Sequence, residues 1–154
     1  MGRMYTAVFQ AAVVTAAQDL ISLLATSTVR IRLHAVFIAQ SSDAGDAADE
    51  QLRIRIRRGM TTAGSGGGTA TPVDIHSTGT AATATARIND TTAASAGTIT
   101  EVHEECFNVR GGWAWIPTPE MRPICEVSTR IAINLPAAPV DPLTMSGTVY
   151  FEEL

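Results

Sequence analysis

From Thr28 to Gln40 the chain reads TVRIRLHAVFIAQ, and from Gln51 to Arg58 it reads QLRIRIRR. Val29, Ile31 and Leu33 alternate with Arg30, Arg32 and His34, while Leu52, Ile54 and Ile56 alternate with Arg53, Arg55 and Arg57. A period of two puts alternate side chains on opposite faces of an extended strand, so each segment has one apolar face and one charged face. Weaker versions recur from Met4 to Val14 and at DLISLLA, and in the last third at TITEVHEECFNV, GGWAWIP, PICEVS, TRIAINL and LTMSGTVYFEEL. TPEMRP and LPAAPVDP punctuate that last third, because proline ends strand pairing. No convincing amphipathic helix and no long internal repeat is legible. About eight or nine short strands with Gly and Pro between them predict an all-β fold: an antiparallel two-sheet sandwich, most simply a jelly roll.

At 154 residues, 45% apolar and 17% charged, the chain is expected to be a single folded domain over 1–154. Two stretches are expected to be flexible loops: the acidic, Ala-rich run at about 41–50, and GMTTAGSGGGTATP at 59–72, which offers no packing residues. The small, polar middle, TGTAATATARINDTTAASAGTIT, suits a pair of edge strands or a mobile flap. The first residues imitate a signal peptide only faintly, since Gln10 and Thr15 interrupt the apolar run and Tyr5, Ala7 and Phe9 alternate as a strand does. No apolar stretch is long enough to span a membrane, so a soluble protein is expected.

Chemistry is hard to place on this sequence. All eleven basic residues are Arg, which excludes a lysine Schiff base and a P-loop. A net charge of −4 argues against general nucleic-acid binding. His34, His76 and His103 have no metal-ligand spacing with one another or with Cys106 and Cys125. Neighbours in VHEEC point to opposite faces of a strand and cannot converge on one metal. Asp74, His76 and Ser77 have the residue types of a triad without a nucleophile elbow, and GSGGG lacks the strand–helix context of a phosphate cradle. Cys106 and Cys125 read as two reduced thiols, able to pair only if their strands are neighbours. No enzyme, metal site or cofactor is expected.

Two constellations remain. Trp113 and Trp115 share a face of one strand, as core bulk or subunit contact, or as an aromatic platform for sugar rings. If the two arginine-bearing strands pair as a hairpin, Arg30, Arg32, Arg53, Arg55 and Arg57 share one outer face. Like charges side by side on a sheet are unfavourable, so acids must answer them. Compensation could come from Asp43, Asp46, Asp49, Glu50, Glu152 or Glu153, leaving an ordinary solvated face. Alternatively the row is a protein-docking face, for which the planar guanidinium fork is suited.

FIAQSSDAGDAADEQLRIRIRRG, the Gly/Thr/Pro tract after it and the closing INLPAAPVDPLTMSGTVYFEEL resemble small virion proteins of tailed bacteriophages. In particular the chain resembles jelly-roll decoration or cement proteins of capsid shells. That resemblance implies a virion protein on the capsid surface, a homotrimer bound to the major capsid protein. It implies adhesion without catalysis, and no membrane or direct nucleic-acid partner. A carbohydrate-binding jelly roll for host attachment, using Trp113 and Trp115, is the alternative from another class. A tail or baseplate position is a third.

Overall fold

The structure, a computed structural model, describes residues 2–41, 49–77 and 79–154. Twelve strands follow one another: β1 (Arg3–Val14), β2 (Gln18–Leu24), β3 (Ile31–Gln40), β4 (Gln51–Thr62), β5 (Gly68–Ala70), β6 (Val73–Asp74), β7 (Thr85–Asp90), β8 (Ser95–Asn108), β9 (Trp113–Trp115), β10 (Ile124–Cys125), β11 (Arg130–Leu135) and β12 (Leu143–Glu153). A single 3-10 turn at Pro119–Met121 is the one helical element among the described residues.

Two six-stranded sheets result. Sheet I runs β10-β3-β12-β1-β6, with β9 also paired to β3, and sheet II runs β5-β7-β2-β11-β4-β8. Every pairing is antiparallel. Without the short additions, β1-β12-β3 flanked by β9 and β10 faces β2-β11-β4-β8, which is the order of a jelly roll. The segment between β4 and β8 contributes the extras: β5 and β7 extend sheet II beyond β2, and β6 extends sheet I beyond β1.

Period-two alternation places the core. Tyr5, Ala7 and Phe9 of β1, Leu33, Val36 and Ile38 of β3, Val149 and Phe151 of β12, Leu52, Ile54 and Ile56 of β4, and Ile131, Ile133 and Leu135 of β11 fill the space between the sheets. Tyr5 stacks on Phe151 at 5.8 Å between ring centroids. Such burial stabilises by roughly 1.5–3 kcal/mol per large side chain, against the entropy of ordering it.

Three expectations change here. β3 and β4 do not form a hairpin, because the connection between them crosses from sheet I to sheet II. Consecutive strands of a jelly roll switch sheets in this way, and alternation within each strand carries no information about its partner. The stretch 59–72 is only partly loop: β4 continues to Thr62, β5 occupies Gly68–Ala70, and Met60 is fully buried. The middle segment becomes β7, an inner strand between β5 and β2, and the start of β8, so only one of the two expected edge strands, β8, lies at a sheet edge. Gly59 (φ +92°) sits at a break in the β4–β8 register, where a Cβ would meet the Thr98 carbonyl oxygen at 2.1 Å. Only glycine allows that approach. Residues 42–48, and with them Asp43 and Asp46, lie outside the described residues.

Candidate docking surfaces

Because Leu52, Ile54 and Ile56 enter the core, Arg53, Arg55 and Arg57 project from the outer face of sheet II. The β4–β8 register sets Arg55 opposite Glu104 and Arg57 opposite Glu101. Each exposed arginine reaches diagonally to the next acid. Arg53 donates from Nε and Nη2 to Glu104 Oε1 at 2.9 and 2.5 Å. Arg55 donates from Nη1 to Glu101 and from Nε to Asn134 Oδ1 at 2.7 Å. Arg57 donates from Nη2 to Asp19 Oδ1 at 3.1 Å and to the Ala94 carbonyl at 3.3 Å. Side-chain exposure falls along the row, from 54% at Arg53 through 22% at Arg55 to 10% at Arg57. The hydrogen bond and charge of Glu104 push the Arg53 guanidinium further up from its ordinary value.

Asp19 is the hub of the buried end. Its Oδ1 accepts from Arg57 and from Asn134 Nδ2 (2.8 Å), and its Oδ2 accepts from the Ala94 N–H (2.7 Å). Beside it, Asp90 accepts from Arg87 Nη2 and Nε at 2.7 and 2.8 Å and from the Gly67 N–H at 3.2 Å. Met60, Ala94 and Ala132 pack into a small apolar cluster of their own, and Ser65 pairs its backbone with Thr92. The segments around Gly67 and Ala94 thus fold over this end of sheet II. The sequence signals missed were polar residues inside apolar strands: Asp19 in DLISLLA, Asn134 in TRIAINL and Asp90 closing TARIND.

Arg30 and Arg32 lie elsewhere. Arg30 precedes β3 and is exposed, its carbonyl accepting from the Leu154 N–H at 3.0 Å. Arg32, on the outer face of sheet I, donates to Glu152 Oε2 at 3.1 Å. His34 Nε2 lies 3.1 Å from the same oxygen, and Glu152 Oε1 accepts from the Gly2 N–H at 2.8 Å. Burial on its own raises the Glu152 carboxyl. The His34 and Gly2 hydrogen bonds and the Arg32 charge outweigh it and hold the group below its usual value. The five arginines therefore sit on two sheets and form no common face. Of the acids expected to answer them, Glu152 takes Arg32. Asp49 instead accepts from Asn108, Glu50 from the Val140 N–H, and Glu153 from the N–H groups of Thr83 and Ala84.

Beyond the Glu152 cluster, the outward side chains in the middle of sheet I are uncharged among the described residues. One row runs Val73, Thr6, Tyr150, Ala35 and the next Val8, Thr148, Phe37, Ala114. Val8, Phe37 and Val73 are exposed, and Phe37 meets Tyr150 edge to face at 6.1 Å. Beside Phe37 a groove of about 480 Å³ opens between Ala39, Gly112, Ala114, Ser146 and Thr148. Nothing in the arginine-centred sequence reading pointed to this face.

Trp113 and Trp115 turn inward, toward the gap between the sheets. Trp113 is buried and its indole N–H donates to Glu105, while Trp115 is half-buried. The His103 ring lies 6.2 Å from Trp113 and 5.7 Å from Trp115 between centroids. These rings close the sandwich edge between β8 and β9, so the pair belongs to the core and displays no flat platform. His76 is exposed, and its backbone N–H donates to Asp74 Oδ1 at 2.9 Å in a local turn. Cys106 and Cys125 are both free, and burial pushes the Cys125 thiol up. Among the described residues no group of three or more His, Cys, Asp or Glu side chains is placed to hold a metal.

No protein-family model matches this chain, and no curated protein matches it. Two solved structures show a faint likeness. One is the T13 IBDV viral particle, at 13% identity over 99% of this chain and 39% of that one, with a TM-score of 0.23. The other is a mutant VP2 protein of infectious bursal disease virus in derived T=1 particles, at 8% identity over 97% and 40%, with a TM-score of 0.24. The chain spans about two fifths of the length of each. Likenesses this weak carry no argument about its role.

Proposed function

We propose that this chain is a structural virion protein: a decoration or cement protein on the head of a tailed phage. It bridges major capsid subunits, assembles as a homotrimer and acts by adhesion, without a catalytic step or cofactor. The observation that carries this reading is the contrast between satisfied and unsatisfied surfaces. Arg32, Arg53, Arg55, Arg57, Trp113 and Trp115 are engaged within the fold, whereas the uncharged rows on the outer face of sheet I stand open. A jelly roll with one such face is suited to lie against other protein, and several weak contacts per assembly multiply into firm attachment.

Cryo-electron microscopy of the source phage tests it. Density for this chain is expected on the head, spanning neighbouring capsid subunits, and heads lacking the chain are expected to rupture at lower temperature. Density confined to the tail, or none on the particle, would overturn the assignment.

A further inference from the structure

Resting on that adhesive reading, we infer that the free edge of β8 and the cleft beside it receive an extended segment of the capsid protein, added to sheet II as a further strand. Of the other strands at the margins of the two sheets, β5, β6, β9 and β10 are two or three residues long, whereas β8 runs for 14. Very short edge strands keep a sheet from pairing with other chains, and β8 lacks that protection. It pairs with β4 alone, so alternate backbone N–H and C=O groups along its other side meet no strand. Glu101 and Glu104 do not guard this edge, because they turn to Arg55 and Arg53 on the outer face.

Beside this edge the sandwich is open. β10 ends sheet I and β8 ends sheet II, and a cleft of two lobes, about 530 and 360 Å³, lies there with Arg58 and Ile124 common to both. Thr98 and Thr100 wall the larger lobe and Val102 the smaller. Thr100 and Val102 are two positions apart, the interval at which alternate side chains of an added strand follow one another, so each lobe takes one.

Charge selects the occupant. Arg58 donates from Nη1 to the Ile124 carbonyl at 2.6 Å, and the Nε of Arg122 is buried without a partner. Arg32, Arg53, Arg55, Arg57 and Arg87 each meet an acid of this chain, whereas among the described residues Arg58 and Arg122 pair with none. Glu120 and Glu126 also line the cleft, but both are exposed and form an ion pair with neither arginine. Ile99, Val102, Met121 and Val127 are exposed on β8 and on the segment across from it. The occupant is therefore an extended segment with a carboxylate among apolar side chains, its backbone on β8 and its acid on the guanidinium forks. From Gly97 to Val102 the free edge, at about 3.4 Å per residue, holds about six residues of it.

Pelleting with heads that lack the chain tests this. The variants are Thr100→Glu, which sets a carboxylate opposite Arg58, Arg122→Glu, and Val140→Ser as a control at an exposed apolar position in another loop. Wild type and Val140→Ser are expected to bind alike. Each cleft variant is expected to bind about 10-fold weaker or more, with an unchanged circular dichroism spectrum. Two cleft variants guard against one that fails to fold. Amide hydrogen exchange between Gly97 and Val102 is expected to slow when the chain is bound. Folded cleft variants that bind heads as wild type does, or β8 amides that exchange equally fast bound and free, overturn the inference and leave the cement reading standing. A wild-type chain that ignores heads overturns the cement reading, and the inference with it.

Discussion

On the outer face of sheet II, Arg53, Arg55 and Arg57 project from β4 in a row, and each meets an acid from β8 or β2. On the outer face of sheet I, Phe37 and Tyr150 project from β3 and β12, touch edge to face, and Phe37 remains open to solvent. The difference is one of how demanding each row is. Guanidinium groups two residues apart on one strand repel at short range, and burying one without a counter-charge costs several kcal/mol, so a charged row recruits acids from its own chain. Hydroxyls, methyls and rings on an open face cost little and need no internal partner. A row of charge is thus answered within its own chain, whereas the outward side chains of sheet I ask for no such partner.

The largest way to break this contrast is to remove the hub of the closed face. Asp19→Ala removes the counter-charge of Arg57, leaves the Ala94 N–H without its acceptor and leaves Arg57 and Asn134 only the Ala94 and Gln18 carbonyls, and a loss of about 3–5 kcal/mol in urea unfolding is expected. A loss below about 1 kcal/mol would show that the network contributes nothing net. Replacing both partners, as Asp19→Leu with Arg57→Met, is expected to recover much of the deficit, since matched apolar groups avoid a stranded charge.

Asp90→Ala is expected to cost less, about 1–3 kcal/mol, because Arg87 keeps more contact with water. Equal losses at Asp19 and Asp90 would contradict the graded burial of the face.

At the charged border of sheet I, Glu152 has a lower proton affinity in the folded chain than its ordinary value near 4.5. The unfolded chain therefore takes up the proton first as pH falls. The stabilisation from Glu152 is complete above about pH 4.5 and is lost as pH drops through the folded value. Wild type should exceed Glu152→Gln in stability at pH 7, and the two unfolding curves should converge in acid. A gap that stays constant from pH 7 to acid would remove the ionised carboxylate from the account.

The smallest effects are expected where side chains already stand in water. Arg53→Ala should leave the unfolding midpoint unchanged, because its pair with Glu104 is exposed and screened. Phe37→Ser, measured on dissociated chain, should cost no more than about 1.5 kcal/mol, the worth of its edge-to-face contact with Tyr150. A larger loss would mean that Phe37 holds the fold together rather than standing ready for a neighbour.

The strands were legible where alternation is strict. Leu33 and Ile54 enter the core as their spacing requires, and the sandwich follows from the number of such segments. Pairing was not legible, because period two assigns faces but is silent on neighbours. Arg32 and Arg53 look alike in sequence, yet one answers Glu152 across β12 and the other Glu104 across β8. Met60 was hidden in a glycine-rich run, and its burial depends on Ala94 and Ala132 arriving from distant segments. Trp113 and Trp115 were placed on one face correctly, and only the opposing β8 decides that this face looks inward. The uncharged rows of sheet I gave no local signal, since Thr, Ala and Val suit a strand surface whether or not anything covers it.

The last two strands stand at the centre of both sheets: β11 lies between β2 and β4, and β12 between β1 and β3. The β4–β8, β2–β7 and β3–β9 pairs need neither of them, but β1 and β3, and likewise β2 and β4, are joined into one sheet only through these two strands. Assembly is therefore a late, largely all-or-none event governed by contacts between distant parts of the chain, on the slow side for a domain of this size. Until then a string of half-apolar strands has to be kept apart from its siblings.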